Sequence, residues 1–84
     1  MVTIRDILNK LRWTGRLGEC ELVYISRGEP NNEKIIDLST IVEICKNGFV
    51  YVENGYRIYI PYHRVIEIRT KDRKEVFIRR KVPH

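Results

Sequence analysis

From Gly18 onward, turn-forming residues interrupt this chain about every eight to twelve residues. The stretches between them are rich in Val, Ile and Tyr, side chains that suit a pleated, half-buried surface. A chain punctuated this closely must build its fold from short antiparallel strands joined by tight turns. The residues at 20–27 are apolar on both faces, with Val23 and Ile25 on one and Leu22 and Tyr24 on the other, as in a strand covered on both sides. Residues 28–32 are turn formers, and 34–38 read as a short strand before a brief turn at Ser39-Thr40. Strands over 42–45 and 49–53 flank Lys46-Asn47-Gly48, and a second Asn-Gly at 54–55 leads into 57–60. Asn-Gly is a strong hairpin signal because both of its residues accept positive φ. Residues 65–71 alternate, with Ile66 and Ile68 opposing Glu67 and Arg69. Asp72-Arg73-Lys74 then turns the chain into 75–80, and the last few residues read as frayed.

The segment before Gly18 obeys a different period. Ile4, Ile7, Leu8 and Leu11 recur at the spacing of one buried helical stripe, while Arg5, Asn9 and Arg12 fall on the opposite side. Thr3, with Asp6 three residues later, approximates a capping box, and Gly15 marks the stop. The spacing predicts a helix over residues 3–13. Trp13 lies off its apolar stripe and is expected to pack under the following loop, exposure toward a partner being the alternative. The chain is therefore predicted to be one α+β domain over residues 1–84. Its N-terminal helix should pack on a curled antiparallel sheet of five or six strands, either open or partly closed into a small barrel.

Eighty-four residues give a core too small to enclose a large cofactor, and no cofactor is expected. No apolar run approaches the roughly 20 residues of a membrane helix. Arg5 and Asp6 break the only apolar stretch near the start, so no secretory signal is read and a cytoplasmic location is expected. Cys20 and Cys45 lack metal-ligand spacing and read as small buried side chains, with a disulfide between them left open. No metal site is expected.

Charge is distributed unevenly. Residues 1–63 balance eight basic against eight acidic side chains, whereas residues 64–84 hold eight basic and three acidic ones and so carry the whole net charge of +5. A concentrated basic end is the electrostatic footprint of a polyanion binder, and equally that of a solvated hairpin and tail. Near its start stands Ile60-Pro61-Tyr62-His63-Arg64. Pro61 fixes its own φ and biases Ile60 toward an extended conformation, so the Tyr-His-Arg triplet sits at a rigid bend. Arg supplies a planar fork of donors and His a proton or hydrogen bond near neutral pH, a pairing suited to a phosphate. Arg27-Gly28 is a second candidate, an arginine at a strand end beside a residue that permits close backbone approach. Tyr51, Tyr56, Tyr59, Tyr62 and Trp13 are interleaved with basic residues, and an exposed ring would stack on an unpaired base for about 1–3 kcal/mol. Phe49 and most of the tyrosines are expected to pack in the core or on the sheet surface instead.

No P-loop, HExxH or GxSxG motif is present, and His63 has no second histidine beside it for a proton relay. A binding module is the more economical reading than an enzyme. A phosphoesterase or nuclease using His63 and a protein-interaction adaptor stand as alternatives.

Three segments carry a family resemblance: Arg5-Asp6-Ile7-Leu8-Asn9-Lys10-Leu11-Arg12-Trp13, then Val23-Tyr24-Ile25-Ser26-Arg27-Gly28, then Ile60 to Arg69. Together they resemble the archaeal RNA cyclic-group-end recognition domain family, in the family's order and over almost the whole chain. The resemblance implies RNA binding, at phosphorylated or cyclic-phosphate ends, and RNA-processing or repair enzymes as further partners. It maps the characteristic polar positions to Arg27, Gly28, His63 and Arg64. Tyr62 would then stack on the terminal base, and the basic hairpin at 69–81 would steer the RNA backbone. Ser26 stands where many relatives carry His, which removes a second imidazole beside Arg27, and the segment 47–57 is slightly long. Neither the sequence nor the resemblance sets an oligomeric state.

Overall fold

A computed structural model describes residues 3–81, so His84 and most of the expected frayed end lie outside the described residues. Helix α1 spans Ile4–Trp13. The Thr3 hydroxyl accepts from the Asp6 amide at 3.1 Å and the Asp6 carboxylate accepts from the Thr3 amide at 3.0 Å, a complete capping box. The stripe Ile4, Ile7, Leu8 and Leu11 is buried, as the spacing predicts. No helix among the described residues is long and apolar enough to cross a membrane.

Seven strands follow: β1 (Cys20–Ile25), β2 (Glu33–Asp37), β3 (Ile41–Ile44), β4 (Gly48–Glu53), β5 (Tyr56–Pro61), β6 (Val65–Thr70) and β7 (Val76–Arg79). They form two antiparallel sheets, one ordered β2-β1-β6-β7 and the other β3-β4-β5. The α+β class stands, while the single curled sheet of five or six strands becomes two sheets, and no ladder among the described residues closes them into a barrel. Two short 3₁₀ turns explain the division. Leu38–Thr40 carries the chain from β2 of the first sheet to β3 of the second, and Tyr62–Arg64 carries it back from β5 to β6. Turn residues mark where a strand ends without revealing whether the next strand pairs with it.

The second Asn-Gly behaves as expected: Asn54 and Gly55 both have positive φ, at 53° and 81°, and join β4 to β5 in a two-residue hairpin. The first differs, because Gly48 already belongs to β4. A Cβ at Gly48 would lie 2.5 Å from the Ile60 carbonyl and 2.6 Å from the Tyr59 ring, so the glycine admits that ring across the strand.

One core unites the layers. The α1 stripe clusters with Leu22, Leu38, Phe49, Tyr51, Val65 and Ile68. Inside it the Tyr24 and Tyr51 hydroxyls bond each other at 2.7 Å, which satisfies two polar groups that burial would otherwise leave costly. Cys20 is buried, Cys45 is half-buried, and both are free thiols. The exception is Trp13. Its side chain is 89% exposed rather than packed under the following loop, because Gly15 and the bond from the Arg16 amide to the Leu11 carbonyl turn the chain away.

The alternation expected in β6 is broken at Ile66, which the ladder with β1 leaves unpaired, so the core side chains are Val65 and Ile68 rather than Ile66 and Ile68, and Glu67 is itself buried. Arg69 and Arg79 each reach it at 2.9 Å, and Arg69 also holds Glu21 at 2.6 Å across β1. Burial alone would raise the Glu67 carboxyl, but the hydrogen bonds from Arg79 and Arg69 outweigh it and hold the group below its ordinary 4.5. A depressed carboxyl contributes stability above its unfolded value and loses it as pH falls through the folded one. Glu67→Gln should therefore destabilise the protein at pH 7 by roughly 3 kcal/mol, near the low end for breaking a buried pair. It should also flatten the loss of stability below about pH 4.5, measured by urea unfolding at pH 7 and pH 3.

Candidate functional site

The bend predicted at Pro61 exists and is tied down from several directions. Pro61 has φ −66° and ψ 145°, Tyr62–Arg64 forms one 3₁₀ turn, and Val65 resumes an extended strand. The Tyr62 amide donates to the Asn47 carbonyl at 3.0 Å, and its hydroxyl donates to the Cys45 carbonyl. Its ring lies against Phe49, 6.5 Å between centroids and 27° between planes. Burial pushes the Tyr62 hydroxyl up to about 12, so it stays a neutral donor at physiological pH. From just past the end of β7, Arg80 donates to the carbonyls of Tyr62 and Val65, the latter at 2.8 Å. Bonds from a charged donor are worth about 1.5–3 kcal/mol each, enough to fix such a turn.

Strand pairing then brings the second candidate segment beside the first. β1 and β6 are antiparallel with Tyr24 opposite Val65, so the residues after Tyr24 and those before Val65 emerge at the same end of the first sheet. The ladder slips between Val23 and Tyr24, leaving Ile66 as an extra residue in β6 two positions past the corner. Such bulges re-aim the neighbouring side chains. Arg64 closes the junction: its guanidinium donates to the Ile25 carbonyl and lies 5.7 Å from the centre of the Tyr24 ring. The fork has five N–H donors, so most of it stays available after one bond is made.

The loop after Ile25 is compact. The Ser26 amide donates to the Asn32 carbonyl at 2.9 Å, and Gly28 adopts φ 91°, a value that favours glycine. A Cβ there would meet nothing within 4 Å, so the glycine is required by its backbone angle and the space around it is open. Arg27 and His63 are both exposed, and neither side chain has a hydrogen-bonding or ionic partner among the described residues.

Of the five candidate residues, Arg27, Gly28, His63 and Arg64 thus share one end of the first sheet. Tyr62 belongs to the same turn, yet its half-buried ring and its hydroxyl are engaged inside the protein, which makes it a residue that holds the corner. Tyr24, Arg80 and the Ile66 bulge were not foreseen as parts of the site. Their roles depend on pairing between distant strands, and no local pattern signals it. The basic hairpin is also less free than its composition suggests. Arg69 and Arg79 pair with Glu67, Lys71 reaches Asp37 at 2.6 Å, and only Arg73, Lys74 and Lys81 among its basic residues lack such partners within the described residues. Arg27 and Arg64 have no carboxylate in ion-pair range among the described residues; Arg27 is exposed, while Arg64 is half-buried with its guanidinium held against Ile25 and Tyr24.

Residues 1–80 match the MJ1316 RNA cyclic group end recognition domain. A UPF0248 protein of Pyrobaculum islandicum is 38% identical over 77 residues, covering 92% of this chain and 89% of its own length. A UPF0248 protein of Pyrobaculum aerophilum is 36% identical, covering 93% and 100%. One from Methanocaldococcus jannaschii is 35% identical over 80 residues, covering 93% and 94%. No solved structure matches the chain.

The corner predicts an asymmetry between its two adjacent polar residues. Arg64→Ala should lower unfolding stability by about 1–3 kcal/mol, because it removes the bond to Ile25 and the contact with Tyr24. His63→Ala should stay within about 0.5 kcal/mol of the parent, as surface changes do. Equal losses in chemical denaturation would contradict this division of labour.

Proposed function

The chain belongs to the MJ1316 RNA cyclic group end recognition domain family, and from that premise we propose that it binds RNA and receives a phosphorylated strand end at the Tyr62–Arg64 corner. The observation that carries this reading is the β1–β6 register. It sets Arg27-Gly28 and His63-Arg64 side by side, with one guanidinium anchored from behind and no carboxylate competing for it among the described residues.

Each residue then has a definable task. The remaining Arg64 donors form charge-assisted hydrogen bonds to phosphate oxygens, and because the group is already anchored, little rotamer freedom is lost on binding. Arg27 adds a second cation from the exposed loop. His63 donates to a phosphate or ribose oxygen, and the open space over Gly28 leaves room for the sugar–phosphate chain. A cyclic phosphate, with one negative charge and a fixed ring, suits a preset fork of this kind. Tyr62 acts by positioning, through its bonds to the strands behind it.

Fluorescence anisotropy on one short single-stranded RNA with a cyclic phosphate, a simple phosphate or a hydroxyl end tests this reading. Phosphate-bearing ends should bind about 10- to 100-fold tighter than the hydroxyl end, with affinity falling steeply as salt rises. His63→Ala and Arg27→Ala should each shrink that preference without unfolding the protein. Equal affinity for all three ends would remove end recognition and leave a general RNA binder. Absence of binding would remove the RNA reading. Turnover of the cyclic end that disappears in His63→Ala would instead establish a phosphoesterase.

A further inference from the structure

Trp13 is the chain's single tryptophan and, at 89% exposure, the most exposed large hydrophobic side chain among the described residues. It borders an open depression of about 570 Å³ whose other walls are Asn9, Lys10 and Arg12. Lys10 and Asn9 lie three and four residues before the indole, the spacing that puts side chains on one helical face. Arg12 is oriented toward that face by donating to the Asn9 side chain at 3.3 Å. The only acid of α1, Asp6, sits two turns away with its carboxylate engaged by the Thr3 amide. A flat aromatic surface ringed by cations suits a base stacked on the ring and phosphates held at its edge.

We infer that Trp13, with Lys10 and Arg12, is a second RNA contact, on which an unpaired base stacks some nucleotides away from the end held at the corner. The inference rests on the RNA-binding reading and deepens it.

Geometry sets the spacing. Arg16, just beyond the helix, pairs with Glu75 at 3.2 Å, which places the C-terminal end of α1 beside the β6–β7 turn. That turn lies at the far end of β6 from the corner. The helix also packs on β3, and the carbonyl of Cys45, just beyond β3, accepts from the Tyr62 hydroxyl of the corner. From Arg5 to Trp13 the helix rises about 12 Å. Arg5 and Arg12 are exposed and Asn9 is half-buried along this side of α1, so one strand can pass from the corner along the helix to the indole. Stacked nucleotides advance about 3.4 Å each, so a stacked strand crosses that distance of about 12 Å in about four nucleotides, more than a dinucleotide supplies.

Because no other tryptophan contributes, indole fluorescence reads this contact directly. The probes are a ten-nucleotide RNA and a dinucleotide carrying the same cyclic phosphate end, each followed by Trp13 emission and by competition against a labelled RNA. The decamer should quench the emission and the dinucleotide should leave it nearly unchanged. Trp13→Ala should weaken decamer binding roughly five- to a hundredfold while sparing the dinucleotide, and Trp13→Phe should restore part of the loss. A decamer that binds without quenching, and binds Trp13→Ala equally well, would overturn this contact while leaving the end-binding reading intact. Failure of both RNAs to bind would overturn both. Emission that shifts to the blue with rising protein concentration and ignores RNA would assign the indole to contact between copies of this chain and overturn the inference.

Discussion

The antiparallel ladder between β1 and β6 is the constraint on which the rest depends. It joins residues more than forty positions apart, from Cys20 opposite Thr70 to Tyr24 opposite Val65. Its inward residues, Leu22 and Ile68, are fully buried in the common core, and its outward ones, Glu21, Glu67 and Arg69, form the ionic network across the sheet. It makes β1 and β6 the two central strands of their sheet, with β2 beside β1 and β7 beside β6. A ladder of this sequence separation is costly to close in loop entropy and forms slowly, so the local hairpin β4–β5 and α1 can assemble before it. Only when the ladder closes do the loop at Arg27 and the turn at His63 become one surface.

That dependence separates two populations of cations in a basic chain. Arg69, Arg79, Lys71 and Arg16 answer carboxylates and hold elements together. Arg80 answers backbone carbonyls at the corner. Arg64 stands between these roles, since one donor fixes it to Ile25 and no carboxylate among the described residues takes the others. Arg27, Lys10 and Arg12 have no ionic partner among the described residues and sit at the two ends of the α1 and corner surface. Net charge alone would have assigned RNA contact to the C-terminal hairpin. Pairing shifts the outward-directed charge toward the corner and the helix.

What was legible in the sequence was whatever short-range physics decides. The α1 boundaries followed from a capping threonine, a 3.6-residue stripe and Gly15, all within one helix. The Asn54-Gly55 hairpin followed from two residues that tolerate positive φ. The residues at the corner were recognisable because Pro61 sets the bend by itself and the Tyr-His-Arg triplet follows it. Long-range facts were not legible. Whether Leu38–Thr40 and Tyr62–Arg64 return a strand to its neighbour or transfer it to another sheet depends on partners elsewhere in the chain. The burial of Glu67 depends on two arginines laid over it, the inward turn of Tyr62 on Phe49, and the exposure of Trp13 on where the chain goes after Gly15.

The central claim is that a phosphorylated end is received where these two distant segments meet. Amide chemical-shift mapping of the ¹⁵N-labelled protein during titration with a nucleoside 2′,3′-cyclic monophosphate tests it most directly. The account predicts that Ser26, Arg27 and Gly28 shift together with Tyr62, His63, Arg64 and Val65, along one saturating curve. Shifts confined to the β6–β7 hairpin, or to one of the two segments without the other, would contradict it.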